Sequence, residues 1–394
     1  MAVSPQLRVP GPTPIPERVQ RAMARPLVNH KGPEFRELVE QLQQGLQWAL
    51  GTTAPVLLLP SSGSGGLEAA VANLCQPGEA ALFCTVGAFG QRWVAMGRAY
   101  GADVVELTGE WGAPVAVDDV GALLERHPDA AVVFLTHNET STGVTNDLVA
   151  LARVVKDAGR LLAVDSVSGA PCLPLEMDVL GCDVVVSASQ KGWMAPPGVA
   201  MVACSERALA RAAATTGPRW YFDFSRLHQF LQRRETPTTP AISVLFGLAE
   251  GLQMLREEGR EAVWGRHASC AGAIRAAVSA LGLRLLAHPD AVSDVVTAVL
   301  PPAGVEPDAV RAFLARLRER HGLVIAGGQG PYEGRLVRIG HLGAIDAAAT
   351  VALVDAFEAG AREVGWSSAA AGAGLAAAQA ALHPVPPPGH QRVA

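Results

Sequence analysis

"VVVSASQKGWMAPPGV", residues 184–199, places a lysine just after an apolar run. Val184–Val186 predicts a buried strand, because a short β-branched run bounded by turn residues suits a sheet covered on both faces. Ser187, Ala188 and Ser189 are small, and Pro196-Pro197-Gly198 enforces a turn soon afterwards. The chain holds 32 Lys plus Arg, yet only Lys31, Lys156 and Lys191 are lysines. A sequence that uses arginine almost everywhere keeps a lysine at this strand end. Unlike a guanidinium, a lysine amine can lose its proton and form a Schiff base with an aldehyde. The plainer alternative is a stem that covers apolar surface while the ammonium reaches water.

Working outward, apolar strands alternate with helical patterns from about residue 55 to 205. "PVLLLP" precedes a helix starting near Gly66, "EAALFCTV" one over 90–100, and "ADVVEL" one near 117–125. "AAVVFLTH" leads to a helix over 148–158, followed by "RLLAVD", "DVVVSAS" and "GVAMVAC". This predicts an α/β fold with a mainly parallel sheet, whose ligands bind beyond the carboxyl ends of the strands. Those ends carry Ser61–Gly66, His137–Gly143, Asp165–Gly169 and Ser187–Lys191, all polar. Beyond residue 205 a long helical stretch, roughly 240–281, is expected to break at Gly259. "DVVTAVLPP", a helix over 308–320, "GLVIAGG", "RLVRIG" and a helix over 346–363 then predict a smaller α+β unit. The expected division is 1–258 as a large domain with an N-terminal arm, 259–366 as a small C-terminal domain, and 367–394 as a loose Ala/Gly- and Pro-rich tail.

A net charge of −5 and the lack of any basic run argue against a nucleic-acid partner. The N-terminus has no basic region leading into an apolar stretch, so no secretory signal is read there, and no apolar span suits a membrane helix. Six cysteines without a CxxC pair, and histidines without an HxxxH or HExxH pattern, support neither a metal site nor a disulfide framework. A reducing, cytoplasmic setting is expected.

Asp165 ends "LLAVD", 26 residues before Lys191 and about one strand–helix–strand repeat away. Carboxylate and lysine can therefore share one sheet edge, although an acid there can also simply cap a turn. Pyridoxal phosphate needs this pair, a lysine for its aldehyde and a carboxylate for its pyridinium nitrogen. Its phosphate needs backbone N–H groups, and Ser62, Gly63 and Ser64 of "SSGSGGLEAAVANL" open a helix after a strand. The stretch fits neither the GxGxxG nor the Walker pattern, so a small anion suits it better than a dinucleotide.

"HNETSTGV", "VDSVSGAPCLPLEMDVLGCDVVVSASQKGWMAPPG" and "RLVRIGHLG" together resemble the class V aminotransferases, in particular the alanine–glyoxylate and serine–pyruvate enzymes. The resemblance runs from "PGPTPIPERV" at residue 10 to about residue 365. It implies a fold-type I, pyridoxal-phosphate-dependent homodimer with active sites at the subunit interface. Carried over residue by residue, Lys191 is the Schiff-base lysine and Asp165 the pyridinium partner. Ser62, Gly63, Ser64 and Gln190 fall on phosphate-contacting positions, Phe89 on the aromatic stacked against the ring, and Thr140 on the hydroxyl near the ring oxygen. Arg338 matches the clamp for the substrate carboxylate, and strand alternation sets it on the opposite face from Arg335. One departure stands out. In "RRETPTTPAIS" Thr238 is retained, but Glu235 occupies the place of a tyrosine that contacts the phosphate from the neighbouring subunit. A carboxylate there repels a phosphate unless a cation intervenes.

The expected activity is transamination of a small amino acid, of alanine or serine type, with a small 2-oxo acid such as glyoxylate or pyruvate. A lyase, or a ureidoglycine or aminophosphonate aminotransferase, is the alternative on the same scaffold. A cysteine desulfurase is disfavoured because no cysteine follows Cys270. A fold relative without catalysis is the remaining alternative.

Overall fold

The computed structural model describes residues 5–382. Seven strands form the central sheet: β1 (Val56–Leu59), β2 (Ala80–Thr85), β3 (Asp103–Thr108), β4 (Val132–Thr136), β5 (Leu161–Asp165), β6 (Val184–Ala188) and β7 (Ala200–Cys204). Their order is β1-β7-β6-β5-β4-β2-β3, and only β7 runs antiparallel to its neighbours. The valine run shows why the sheet is buried on both sides. Val184 and Val186 pack into one core and Val185 into the other, all three fully buried. Each such side chain contributes about 1.5–3 kcal/mol by leaving water.

Helices α1 (Pro33–Leu50), α2 (Gly63–Leu74) and α3 (Ala88–Ala99) cover the sheet with their apolar faces. On the α3 side Phe83 and Phe134 stack at 4.4 Å, with Trp93 edge-on to Phe134 at 4.8 Å. Helices α4 (Ile242–Glu258) and α5 (Arg260–Ala280) meet at Gly259, φ 89°, where the sequence predicts a break. A third core follows, with an antiparallel sheet of β8 (Arg284–Leu285), β9 (Val296–Leu300), β10 (Ala326–Gly327) and β11 (Val337–Gly340), in the order β8-β9-β11-β10. Helices α6 (Pro307–His321) and α7 (Ala347–Glu363) pack on it.

Two segments depart from the sequence expectation. Where a loose tail is expected, Ala373–Ala381 is a helix, α8, with Ala378 fully buried. The buried Glu358 carboxylate holds its start, accepting from Gly372 N at 2.6 Å and Leu375 N at 2.9 Å. Residues 383–394 of that stretch lie outside the described residues. At the other end, Gln6–Leu7 pairs with Leu323–Val324, and Gly340 N donates to Arg8 O at 2.7 Å. The arm is thus joined to the small sheet before it reaches the large one. Among the described residues no helix is long and apolar enough to cross a membrane.

Candidate active site

Parallel strands deliver the lysine and the aspartate to one edge. In register, Asp165 sits opposite Thr136 of β4 and Val186 of β6, and Lys191 follows in the turn after β6. Asp165 is buried and Lys191 half-buried. Asp165 Oδ1 accepts from Val167 N at 2.9 Å, the one hydrogen bond its carboxylate makes among the described residues. Burial pushes its carboxyl up to about 7, helped by the negative charge of Glu139 and opposed by the Val167 N–H, Lys191 and Arg92. Burial also lowers the Lys191 ammonium to about 8; Asp165 opposes that fall while Arg338 and Arg92 add to it. The lowered value enlarges the share of neutral amine, the form that attacks an aldehyde.

The N-terminal arm covers this lysine, which the sequence reading does not anticipate. Lys191 Nζ donates to Pro10 O, Thr13 N donates to Gln190 O at 3.1 Å, and Thr13 Oγ1 donates to Lys191 O at 2.9 Å. Gly11 lies against the lysine stem at φ 114°, and a Cβ there would come within 2.6 Å of Lys191 Cδ and Nζ. Gly11→Ala is therefore expected to cost about 1–3 kcal/mol in unfolding free energy from backbone strain and to depress turnover as well. Gly159→Ala is its control, with a positive φ (72°) and nothing within 4 Å of the added Cβ. It should cost stability alone, as chemical unfolding and steady-state assays of both variants would show.

At the start of α2, Ser62 O receives the first helical hydrogen bonds, from Gly65 N at 2.9 Å and Gly66 N at 3.3 Å. No hydrogen bond among the described residues engages the amides of Gly63 and Ser64, which lie at the positive end of the helix dipole. Only a glycine fits at 63, because a Cβ would meet Val167 at 2.9 Å and Ala188 at 3.2 Å. That close approach sets the helix end beside the strands bearing Asp165 and Lys191. Gln190 Oε1 is buried without a hydrogen-bond partner among the described residues, and the amide of this side chain also carries an NH2 group that can donate to an anion. These features fit a phosphorylated aldehyde cofactor, with anion-seeking amides, an amine and a buried carboxylate at one edge.

Phe89, in the first turn of α3, is half-buried. Arg92 lies 4.7 Å over its ring and donates to Ser64 Oγ at 3.2 Å, a cation between helix α3 and the anion-seeking turn that the sequence reading did not single out. Thr140 is buried, its Oγ1 bonded to Ser168 Oγ at 2.8 Å. His137, also buried, contacts Ser166 Oγ at 3.0 Å, and burial lowers it to about 4, so it stays neutral.

Arg338 reaches the same place from the small sheet. On β11 its register partners are Ala298 and Ala326, small side chains that leave room for a guanidinium. It donates to Gly327 O at 2.8 Å and to Thr140 O at 3.1 Å, and makes no ion pair among the described residues. Burial lowers it to about 10, opposed by Glu139. Arg335 is exposed and precedes the strand, which begins at Val337. The two arginines therefore differ because one lies in a turn, and strand alternation is not the reason.

The loop at 233–238 is built differently from what its sequence suggests. Glu235 pairs with Arg36 at 2.6 Å, and that hydrogen bond, with the nearby charges of Lys31 and Arg233, holds its carboxyl below the usual range. Helix α1 thus supplies a cation to Glu235. Thr238 O accepts from Thr236 Oγ1 at 2.9 Å, and among the described residues no hydrogen bond of this loop runs to Lys191, Asp165 or Ser62.

The chain matches the family described as Aminotransferase class-V over residues 10–330. It is 38% identical over 380 residues to a Synechococcus sp. (strain PCC 6716) protein named as the small subunit of a soluble hydrogenase, covering 95% of this chain and 98% of that one. It is 37% identical over 356 residues to the serine–glyoxylate aminotransferase of Hyphomicrobium methylovorum, covering 88% and 87%. The crystal structure of pyridoxamine–pyruvate aminotransferase from Mesorhizobium loti superposes with a TM-score of 0.91 at 30% identity, covering 96% and 97%.

Proposed function

The chain belongs to the class-V aminotransferases, pyridoxal-phosphate-dependent enzymes of fold-type I, and from that premise we propose that it moves an amino group from a small amino acid to a small 2-oxo acid. Serine as donor with glyoxylate as acceptor is in the name of the Hyphomicrobium relative, and pyruvate as acceptor in that of the Mesorhizobium enzyme; alanine is a donor of the same small neutral type. The observation that carries the reading is the convergence of a half-buried amine, a buried carboxylate and a buried arginine that has no acidic partner among the described residues. When bound, the cofactor supplies an aldehyde for the amino donor and a ring that accepts electrons.

The chain's own residues do the rest. The amides of Gly63 and Ser64, with Ser62 and Gln190, hold the phosphate. Phe89 gives the ring an apolar face, and Thr140 offers it a hydroxyl. Asp165 keeps a proton on the ring nitrogen, which an ionised carboxylate stabilises at close range. Lys191 Nζ, freed of its proton by burial, takes the proton from the donor's α-carbon and returns it on the product side. Arg338 orients the substrate carboxylate with its planar fork. The reading also includes a homodimer in which Thr238 approaches the partner's phosphate. The Synechococcus relative carries a different name, but these residues give amino-group transfer a specific chemical account and give none for hydrogen chemistry. A ureidoglycine or aminophosphonate donor is the second reading for the same site.

A half-reaction screen tests the proposal. The purified holoprotein is mixed with one amino acid at a time, and the bound cofactor's visible band is followed. Loss of that band with alanine or serine, restored by glyoxylate or pyruvate, is the expected result; no change with any amino acid would sink it. Arg338→Ala should raise KM for amino and keto acids roughly ten- to a hundredfold, the loss of a charge-assisted contact worth about 1.5–3 kcal/mol. Arg335→Ala should leave both constants within twofold or so, since surface changes of this kind are usually near-neutral. A critical Arg335 beside a dispensable Arg338 would reverse the assignment.

A further inference from the structure

One fully buried carboxylate at this site has no part in the chemistry above. Glu139 Oε2 accepts from Phe89 N at 3.2 Å and Gly90 N at 3.1 Å. Its Oε1 accepts from Ser141 N at 3.0 Å and Ser141 Oγ at 2.5 Å. Ser141 Oγ in turn accepts from Ala88 N at 2.9 Å. Every group hydrogen-bonded to the carboxylate is a donor, so the side chain acts here as an acceptor; burial pushes its carboxyl up, and these Ser141, Gly90 and Phe89 donors oppose that rise.

This arrangement replaces an ordinary helix cap. A helix usually begins at a Ser, Thr, Asp or Asn whose own side chain accepts from the first turn. The cap position of α3 is Gly87, which has no side chain to offer. A Cβ on Gly87 would lie 2.5 Å from Glu139 Cγ and 2.4 Å from Ser141 Oγ. The chain has cleared its local cap so that a carboxylate some 50 residues away in sequence can reach the helix amides. What is held there is functional on the reading above: Phe89 lies in this first turn, and Thr140, next to Glu139, accepts from Arg338 Nη1 at 3.1 Å.

We propose that Glu139 is a positioning residue that fixes two parts of the site from one point. Through α3 it sets where the Phe89 ring lies relative to the cofactor. Through the Thr140 backbone it sets where the Arg338 guanidinium lies relative to the substrate carboxylate. The inference rests on the Lys191-centred reading and adds to it a residue that touches neither substrate nor cofactor.

Glu139→Gln tests this, because it keeps the size but turns an NH2 toward a ring of N–H donors. Three quantities are compared with the wild type: affinity of the apoprotein for pyridoxal phosphate by absorbance titration, the visible circular dichroism of the bound cofactor, and KM against kcat for the amino donor. Expected are roughly ten- to a hundredfold weaker cofactor binding, the loss scale for hydrogen bonds to a charged group, an altered dichroic band and a raised KM. A folded variant with wild-type cofactor affinity, dichroism and KM would overturn the inference, however far its melting temperature falls. Should Glu139→Gln not fold, Ser141→Ala decides, since it removes two of these contacts and keeps the carboxylate. A severalfold loss of cofactor affinity supports the proposal and unchanged affinity overturns it. Wild-type protein that takes up no pyridoxal phosphate would sink the Lys191 reading itself, and this inference with it.

Discussion

Lys191→Ala is expected to fold and to lose transamination almost completely, by ~10²–10⁴-fold or more in kcat, the range for removing a positioned acid–base group. The amine is the one group at this edge that can both join an aldehyde and carry a proton, and burial lowers it to about 8 so that it can do so near neutrality. The fold should tolerate its loss, because the contacts given up are one bond to Pro10 O and the stem packing under Gly11. Lys191→Arg is the sharper form of the test. It preserves the positive charge beside Asp165, yet a guanidinium stays protonated at any working pH. Both variants should therefore be inactive under steady-state assay. An active arginine variant would show that charge alone is what the position supplies.

Asp165→Asn should bind the cofactor yet lose activity on a similar scale, since an amide cannot hold a proton on the ring nitrogen. Geometry is nearly kept, because the amide oxygen can still accept from Val167 N. Stability should move the other way. The folded carboxyl sits at about 7, against an ordinary 3.8, so between those values the folded chain keeps a proton that the unfolded chain releases. Wild-type apoprotein thus loses stability from this group as pH rises through that window, and the asparagine variant does not. Urea unfolding of both apoproteins at pH 4.5 and 7.5 should show the variant gaining on the wild type at the higher pH. A variant with native turnover would remove Asp165 from the mechanism.

What was legible in the sequence was mainly what is local. Val184–Val186 is a three-residue run that is buried on both faces, and such runs separated by amphipathic helices lead to a largely parallel sheet. The break near Gly259 is legible because a glycine interrupts an otherwise continuous helical pattern, and the structure gives that glycine a positive φ. Lys191 and Asp165 could be set on one edge because each follows its own strand. What stayed hidden depends on contacts distant in sequence and made largely by the backbone. Gly340 N bonds to Arg8 O and Lys191 to Pro10 O, and carbonyls leave no mark in a side-chain pattern. Glu139 lies within "HNETSTGV", but its task is set by Gly87, where the absence of a side chain is the signal. The cation that answers Glu235 is Arg36, 199 residues away. Alternation misled at Arg335 because it assumes a strand that in fact starts two residues later.

The central claim, that Lys191 is the residue that takes up the cofactor, can be met with one measurement. Purified protein is loaded with pyridoxal phosphate, reduced with borohydride, digested, and the peptides weighed for a phosphopyridoxyl addition. The chain offers only three lysines, at 31, 156 and 191, so the answer has few forms. The expected result is stoichiometric addition on the peptide containing Lys191, with the visible band abolished and turnover lost in proportion. Addition confined to Lys31 or Lys156, or a Lys191 peptide left unmodified while the band disappears, would contradict it.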